Sequence, residues 1–286
     1  MVAAINSRDR TTTRRCRPML GTFVEITTTG SNKEQVQRSA DEAFDRIQEI
    51  HNLMSVHDPE SELSQVNIHA LHREVIVSDD TFTVLERGLE LARETDGAFD
   101  FTVAPTLARW GLLPEHLDRT GCSGNWTNVK LLPSRRVRFT RPLAIDVGGI
   151  AKGYAVDVAI ETLRRAGATS AIVNAGGDLR VFGREPCVIH LRHATDIHSL
   201  PHSIELSNAA LATSSPGVTE CQWRDQTVSH LVNPNSRRAV TGNISVTVRA
   251  KECWLADALT KVVFNAPALA EKLMNKHHAE AYVFSA

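Results

Sequence analysis

The sequence predicts an α+β fold, a mixed α/β arrangement, on three observations. Segments with the two-residue period of strands and segments with the 3.6-residue period of helices are interleaved along the chain instead of falling into separate blocks. The turn Ala175-Gly176-Gly177-Asp178 joins two short apolar runs as a hairpin would, because glycine supplies the positive φ that a tight turn needs. No repeat, low-complexity tract or linker divides the 286 residues, a length sufficient for one large core.

The elements follow in order. Arg8, Arg10, Arg14, Arg15 and Arg17 make residues 1–17 a basic segment, expected to be a disordered, solvated arm ahead of a folded domain at 18–286. Gly21–Thr27 alternates as a first strand. Ser31-x-x-Glu34 reads as a capping box opening a helix whose apolar stripe is Val36, Ala40, Ala43, Phe44, Ile47, Ile50, Leu53 and Met54. A polar loop is expected over Ser55–Asn67, then a second helix from Asp79 or Asp80 to just before Gly97. A helix over Ala104–Leu112, a loop over Pro114–Trp126 and a short strand over Ala144–Val147 come next. A third long helix runs from Gly153 to Gly167, followed by the hairpin strands Ser170–Asn174 and Leu179–Phe182. The last third carries strands at Cys187–Leu191, Ile204–Leu206, Ile244–Ala250 and Tyr282–Phe284. It also carries helices at Trp254–Phe264 and from Pro267 to about His277, the proline suiting a first helical turn.

Composition narrows the function. A net charge of −1 gives no electrostatic case for nucleic acid or an anionic membrane surface. Five scattered cysteines without a CxxC pair signal neither a zinc site nor a disulfide framework. No apolar run reaches the length of a membrane span, and the basic N-terminus lacks an apolar core behind it, so a cytoplasmic address is expected.

Four segments could carry chemistry. In Asp146–Asp157 a strand end meets glycines, a lysine and a helix start. Free N–H groups and a positive dipole end there suit a phosphate or diphosphate, with Lys152 as an added charge, although glycines at such corners also serve purely structural ends. It is neither a Walker A loop nor GxGxxG. Asp96–Thr102 is an acidic glycine loop that reads either as a ligand loop or as a helix C-cap. Asp257 and Lys261 stand four apart, acid first, on one face of an otherwise apolar helix: either a salt bridge or part of a metal or phosphate site. His230, before an apolar pair and Asn233-Pro234, is either a general base or a structural histidine.

In chain order, these segments resemble the ApbE family collectively. The resemblance is carried by Leu20-Gly21-Thr22, Met54-Ser55 with Ser61–Asn67, Gly97-Ala98-Phe99-Asp100 with Trp110-Gly111, Asp146–Asp157, Val173–Asp178, Ala212-Thr213-Ser214, His230–Pro234 and Ala256-Asp257-Ala258. It implies a single two-lobed domain with a ligand cleft between the lobes. The implied activity is transfer of FMN from FAD to a Ser or Thr of a target flavoprotein, with Mg²⁺ and release of AMP. By position, Leu20, His57, Ala98, Phe99, Asp100, Asp146 and Lys152 would contact FAD, and His230 would be the base. Gly149, through its carbonyl, Asp257 and Thr260 would hold the metal. The same residues also accommodate an FAD-binding protein without transfer activity, or an FAD diphosphate hydrolase giving FMN and AMP.

The chain departs from the family pattern at several points. Lys261 stands where the family places a Thr four residues after its metal-binding Asp, and Thr260 comes one residue early, about 100° around the helix. Asn233 replaces an acid after the histidine, His57 replaces an aromatic residue, and Ser214-Ser215-Pro216-Gly217 replaces a Ser-Gly-x-Tyr run.

Overall fold

The computed structural model describes residues 10–118, 121–191 and 202–285. In its first half, β1 (Thr11–Met19) and β2 (Thr22–Gly30) lead into α1 (Lys33–Met54), α2 (Glu62–His69), β3 (Val75–Ile76), α3 (Asp79–Glu94), α4 (Ala104–Arg109), β4 (Val129–Leu132) and β5 (Arg136–Phe139). Then come α5 (Ala151–Arg165), β6 (Ser170–Ala175), β7 (Asp178–Phe182), β8 (Cys187–Leu191), β9 (His202–Leu206) and β10 (Ala210–Ser214). The chain ends with β11 (Cys221–Trp223), β12 (Gln226–Val228), β13 (Val232–Asn233), β14 (Arg238–Ala239), β15 (Ile244–Ala250), α6 (Cys253–Asn265), α7 (Pro267–His277) and β16 (Glu280–Ser285). The α+β class expected from the interleaved periods is the one observed.

A seven-stranded sheet in the order β1-β2-β6-β7-β10-β15-β16 is the frame, with every neighbouring pair antiparallel. Alternation decides its two faces. Val24, Ile26, Val173, Ala175, Ala210, Ala212, Val246 and Val248 are buried in the main core, where α1, α5 and α6 cover the sheet. The opposite side chains Leu179, Val181 and Leu211 form a second, smaller core with Leu191, Ile204 and Leu206 of the β8–β9 hairpin. This explains why β7 is buried at all five positions, including Asp178 and Arg180, whose partners lie on the helices. The hairpin between β6 and β7 turns as expected, with φ of 65° at Gly176 and 106° at Gly177.

Four expectations are corrected. The basic segment is not an arm from residue 11 onward: β1 pairs with β2 from Thr11 to Met19, so a boundary at residue 18 would cut a strand. Two of its arginines are held against α1, while Arg10 and Arg14 are exposed. Arg15 and Arg17 lie over the Phe44 ring, and both pair with Asp41, at 2.7 and 2.5 Å. Residues 1–9 lie outside the described residues. The cap of α1 is Asn32, whose side chain accepts from Gln35 N, while Ser31 bonds the Gln35 side chain instead. The loop expected over Ser55–Asn67 contains most of α2, capped by Ser61. Ala144–Val147 joins no sheet.

Two close approaches fix the helices that frame the site. Gly153 lets α5 touch α6, since a β-carbon there would overlap the main-chain carbonyl of Cys253. One turn on, Asp157 accepts from Cys253 N and Trp254 N at 2.9 Å and pairs with Arg180 at 2.9 Å, so an acid of α5 caps the start of α6. No helix among the described residues is long and apolar enough to cross a membrane.

Candidate flavin and diphosphate site

A pocket opens where the segments 98–107, 146–149 and 230–234 meet α6. Its walls include Ala98, Phe99, Asp100, Asp146, Gly149, His230, Lys261 and Asn265. Each segment has a definite support. After α3, Asp96 and Gly97 take positive φ, and Thr95 Oγ1 accepts from Phe99 N at 3.1 Å, turning the chain so that Ala98–Asp100 line the pocket. Asp100 accepts from Thr102 N at 2.8 Å, and burial pushes its carboxyl above the usual range. Arg237 fastens the same loop from far along the chain by donating to Thr102 O at 3.0 Å.

The 145–149 loop replaces the strand that alternation suggested. The fully buried Asn67 acts as a strand partner in miniature, accepting from Ile145 N at 2.8 Å and donating to Ile145 O at 2.9 Å. Asp146 N then bonds Phe101 O at 2.9 Å, joining this loop to the other wall. The half-buried Asp146 has its carboxyl pushed up by loss of water, against a hydrogen bond from Gly148 N–H and the charge of His57.

Behind the pocket lies a chain of alternating charges. Lys152 on α5 bonds Asp178 on β7, and Lys261 on α6 bonds Asp257 one turn earlier. Both carboxylates are almost wholly buried. Burial raises Asp178, helped by the charge of Asp257. For Asp257 burial pulls upward too, but Lys261 and Lys152 outweigh it and hold it below the usual carboxylate range. The Lys152 ammonium is correspondingly raised: burial opposes its charge, but Asp178 and Asp257 overcome that. Lys261 Nζ also donates to Asp257 O at 3.1 Å and to Ser214 Oγ at 3.2 Å.

The residues singled out in the sequence thus divide. Ala98, Phe99, Asp100, Asp146, Gly149 and His230 share the pocket wall. Lys152 and Asp257 belong to the charge chain behind it. His57 is exposed, near enough for its charge to act on Asp146. Leu20, with φ of 55°, packs on the core and is not on this wall. His230 presents an imidazole whose pKa the surrounding protein lowers, while Asn233 turns its side chain to cap Ser236 N at 3.0 Å.

Comparison with known proteins decides the family. The ApbE family model matches residues 20–283. The chain belongs to the ApbE family. Among similar curated proteins, the FAD:protein FMN transferase of Vibrio cholerae serotype O1 is 29% identical, with 74% of this chain and 69% of that protein covered. The FAD:protein FMN transferase of Haemophilus influenzae is 24% identical, covering 82% of this chain and 74% of that one. Among solved structures, the ApbE protein of Thermotoga maritima superposes with a TM-score of 0.85 at 26% identity, covering 96% of this chain and 94% of that one. The flavin transferase ApbE from Vibrio cholerae gives 0.77 at 25%, covering 95% and 93%.

Three participants have roles that the sequence did not disclose, although Asn67 closes one of the ApbE-like segments. Arg237 and Asn67 act across 135 and 78 residues, a reach that no local pattern reports. Asn265 donates to Ala98 O and Val232 O at 3.0 and 3.4 Å, leaving its buried Oδ1 without a partner in the pocket wall. A magnesium ion held by Gly149, Asp257 and Thr260, as the ApbE resemblance implies, does not fit these residues. Thr260 is wholly buried, donates to Asp257 O at 2.7 Å, shares a hydrogen bond with Ser214 at 2.7 Å and is not on the pocket wall. The Asp257 carboxylate is taken by Lys261 and by Gly153 N at 3.3 Å. No group of three His, Cys, Asp or Glu side chains that could hold a metal ion occurs among the described residues.

Proposed function

We propose that this chain transfers FMN from FAD to a Ser or Thr hydroxyl of a target flavoprotein and releases AMP. The observation that carries the reading is the meeting of Ala98–Asp100, Asp146, Gly149 and His230 in one pocket within an ApbE fold. The acceptor hydroxyl attacks the phosphorus of the FMN half, the bond to the AMP half breaks, and AMP departs with the bridging oxygen. His230 takes the hydroxyl proton; the lowered pKa of its ring keeps it neutral near pH 7 and able to do so. Gly149, just ahead of α5, brings the main chain of the helix start to the pocket wall facing the diphosphate, whose charge grows on the leaving group, while Lys152 stays on Asp178 behind the wall. At the position where the resemblance implies magnesium, the Asp257 carboxylate is paired with Lys261.

The test is incubation of the purified chain with FAD and a peptide carrying a Ser/Thr acceptor, followed by mass spectrometry. The expected result is a peptide heavier by one FMN less one water, with one AMP released per event. Recovery of FMN and AMP with unmodified peptide would instead assign the chain as a diphosphate hydrolase, and intact FAD would deny both activities.

A further inference from the structure

Lys261 occupies an enclosure of the kind built for a cation. Its ammonium faces three oxygens: the Asp257 carboxylate Oδ1, the Asp257 main-chain carbonyl at 3.1 Å and Ser214 Oγ at 3.2 Å. Such an all-oxygen set is what a hard cation takes, and three acceptors match the three protons of an ammonium. The arrangement is not a surface salt bridge, because the two side chains are 17% and 1% exposed. Nor is it sealed away. Lys261 forms part of the pocket wall, and its Cε lies 3.4 Å from where a Gly149 β-carbon would stand. Thr260, the hydroxyl that the resemblance offers as an ion ligand, is turned towards Ser214 and its own helix.

We propose that Lys261 is the resident cation of this site, an ammonium carried on α6 that takes the place of a divalent ion between Asp257 and the diphosphate of FAD. The inference rests on the FMN-transferase reading for its ligand. On binding, a diphosphate oxygen replaces Ser214 Oγ on the ammonium, and the serine keeps its hydrogen bond to Thr260. Asp257 then orients the ammonium through the carboxylate and the carbonyl of its own turn. A divalent ion could reach Asp257 only by sitting beside this second positive charge.

The experiment titrates FAD into the full-length wild-type protein, read by flavin fluorescence, with EDTA or with Mg²⁺. The expected affinities agree within about twofold. Lys261→Thr is expected to weaken binding in EDTA by at least about tenfold, with Mg²⁺ restoring most of it, while Lys261→Arg stays insensitive to EDTA. Wild-type binding that falls at least about tenfold in EDTA overturns the proposal, as does a Lys261→Thr protein that binds FAD in EDTA as well as wild type. Should the threonine variant fail to fold, Mn²⁺ added to wild-type protein with FAD decides the same question. An undiminished solution EPR signal supports the proposal, and loss of the signal at one equivalent overturns it. Failure of the transferase reading is separable: FAD bound in EDTA without transfer removes that reading and leaves the ammonium, whereas binding and transfer only with Mg²⁺ do the reverse.

Discussion

Two acid–base pairs sit on neighbouring helices of this molecule and do opposite things. Asp157 on α5 meets Arg180 of β7 at 2.9 Å and takes two main-chain N–H groups from the start of α6. Asp257 on α6 meets Lys261 on the same helix, and that ammonium stands on the pocket wall. In the first pair each carboxylate oxygen has a main-chain donor and the arginine is 9% exposed, so the pair is a joint between two helices and the sheet. In the second, one partner is a long side chain beside a cavity, so the pair can exchange an oxygen for a ligand. The residue types are nearly the same. Both carboxylates are buried and both take a main-chain N–H, so what separates a joint from a site is whether the basic partner is enclosed, as Arg180 is, or stands on the pocket wall, as Lys261 does.

Breaking the joint should cost the most stability. Asp157→Ala removes the cap of α6 and leaves the nearly buried Arg180 with Glu161 alone, 3.6 Å away, an expected loss of about 3 kcal/mol in urea unfolding. The comparison would be overturned if Asp257→Ala cost as much, because its stranded lysine reaches the pocket and water. Loss of FAD binding with a near-normal unfolding curve is the expected signature of Asp257→Ala. The joint also has a pH signature. Burial outweighs Arg180 and the N–H donors and pushes Asp157 up to about 6 from 3.8. A carboxyl whose value is higher folded than unfolded binds its proton more tightly in the fold, so its ionisation removes stability as pH rises through that window.

Asn67→Ala tests whether the pocket side of the comparison also depends on a buried polar clamp. The substitution leaves Ile145 N and O without their partner and is expected to cost about 1–3 kcal/mol, again by urea unfolding. It also frees the loop bearing Asp146 and Gly149, so FAD affinity should fall with it. Stability lost with affinity unchanged would show that the clamp supports the core and not the site.

These contrasts set the limit of what the sequence could disclose. The 145–153 corner was legible because its glycines, lysine and helix start are adjacent in the chain. Asp257 and Lys261 were legible as a pair because four residues make one helical turn, and the structure joins them. Arg180 was only one position in an apolar strand, and its role depends on β7 facing α5. The arginines of β1 misled for the same reason. Charge suggested a solvated arm, but an α1 side chain, Asp41, and the Phe44 ring lay waiting to pair with them. The turn containing Asn233 follows the local pattern, and the replaced acid there now serves only that turn.

The smallest expected effect is a shift in a pH profile, and it bears on the pocket side alone. His230 is exposed at its edge yet crowded enough for its pKa to be lowered from 6.5. Its charged form is the disfavoured one, so the ring stays neutral further into acid than a free imidazole does. A base must be neutral to accept a proton. The acid limb of kcat/KM for FMN transfer should therefore have its midpoint below 6.5, with activity falling as pH drops through it. His230→Ala should remove that limb and lower transfer by about 10²–10⁴-fold, with no change in unfolding midpoint. A limb that persists unchanged in the variant would move the base elsewhere, and Asp146, whose carboxyl is raised in the same pocket, would be the group to test next.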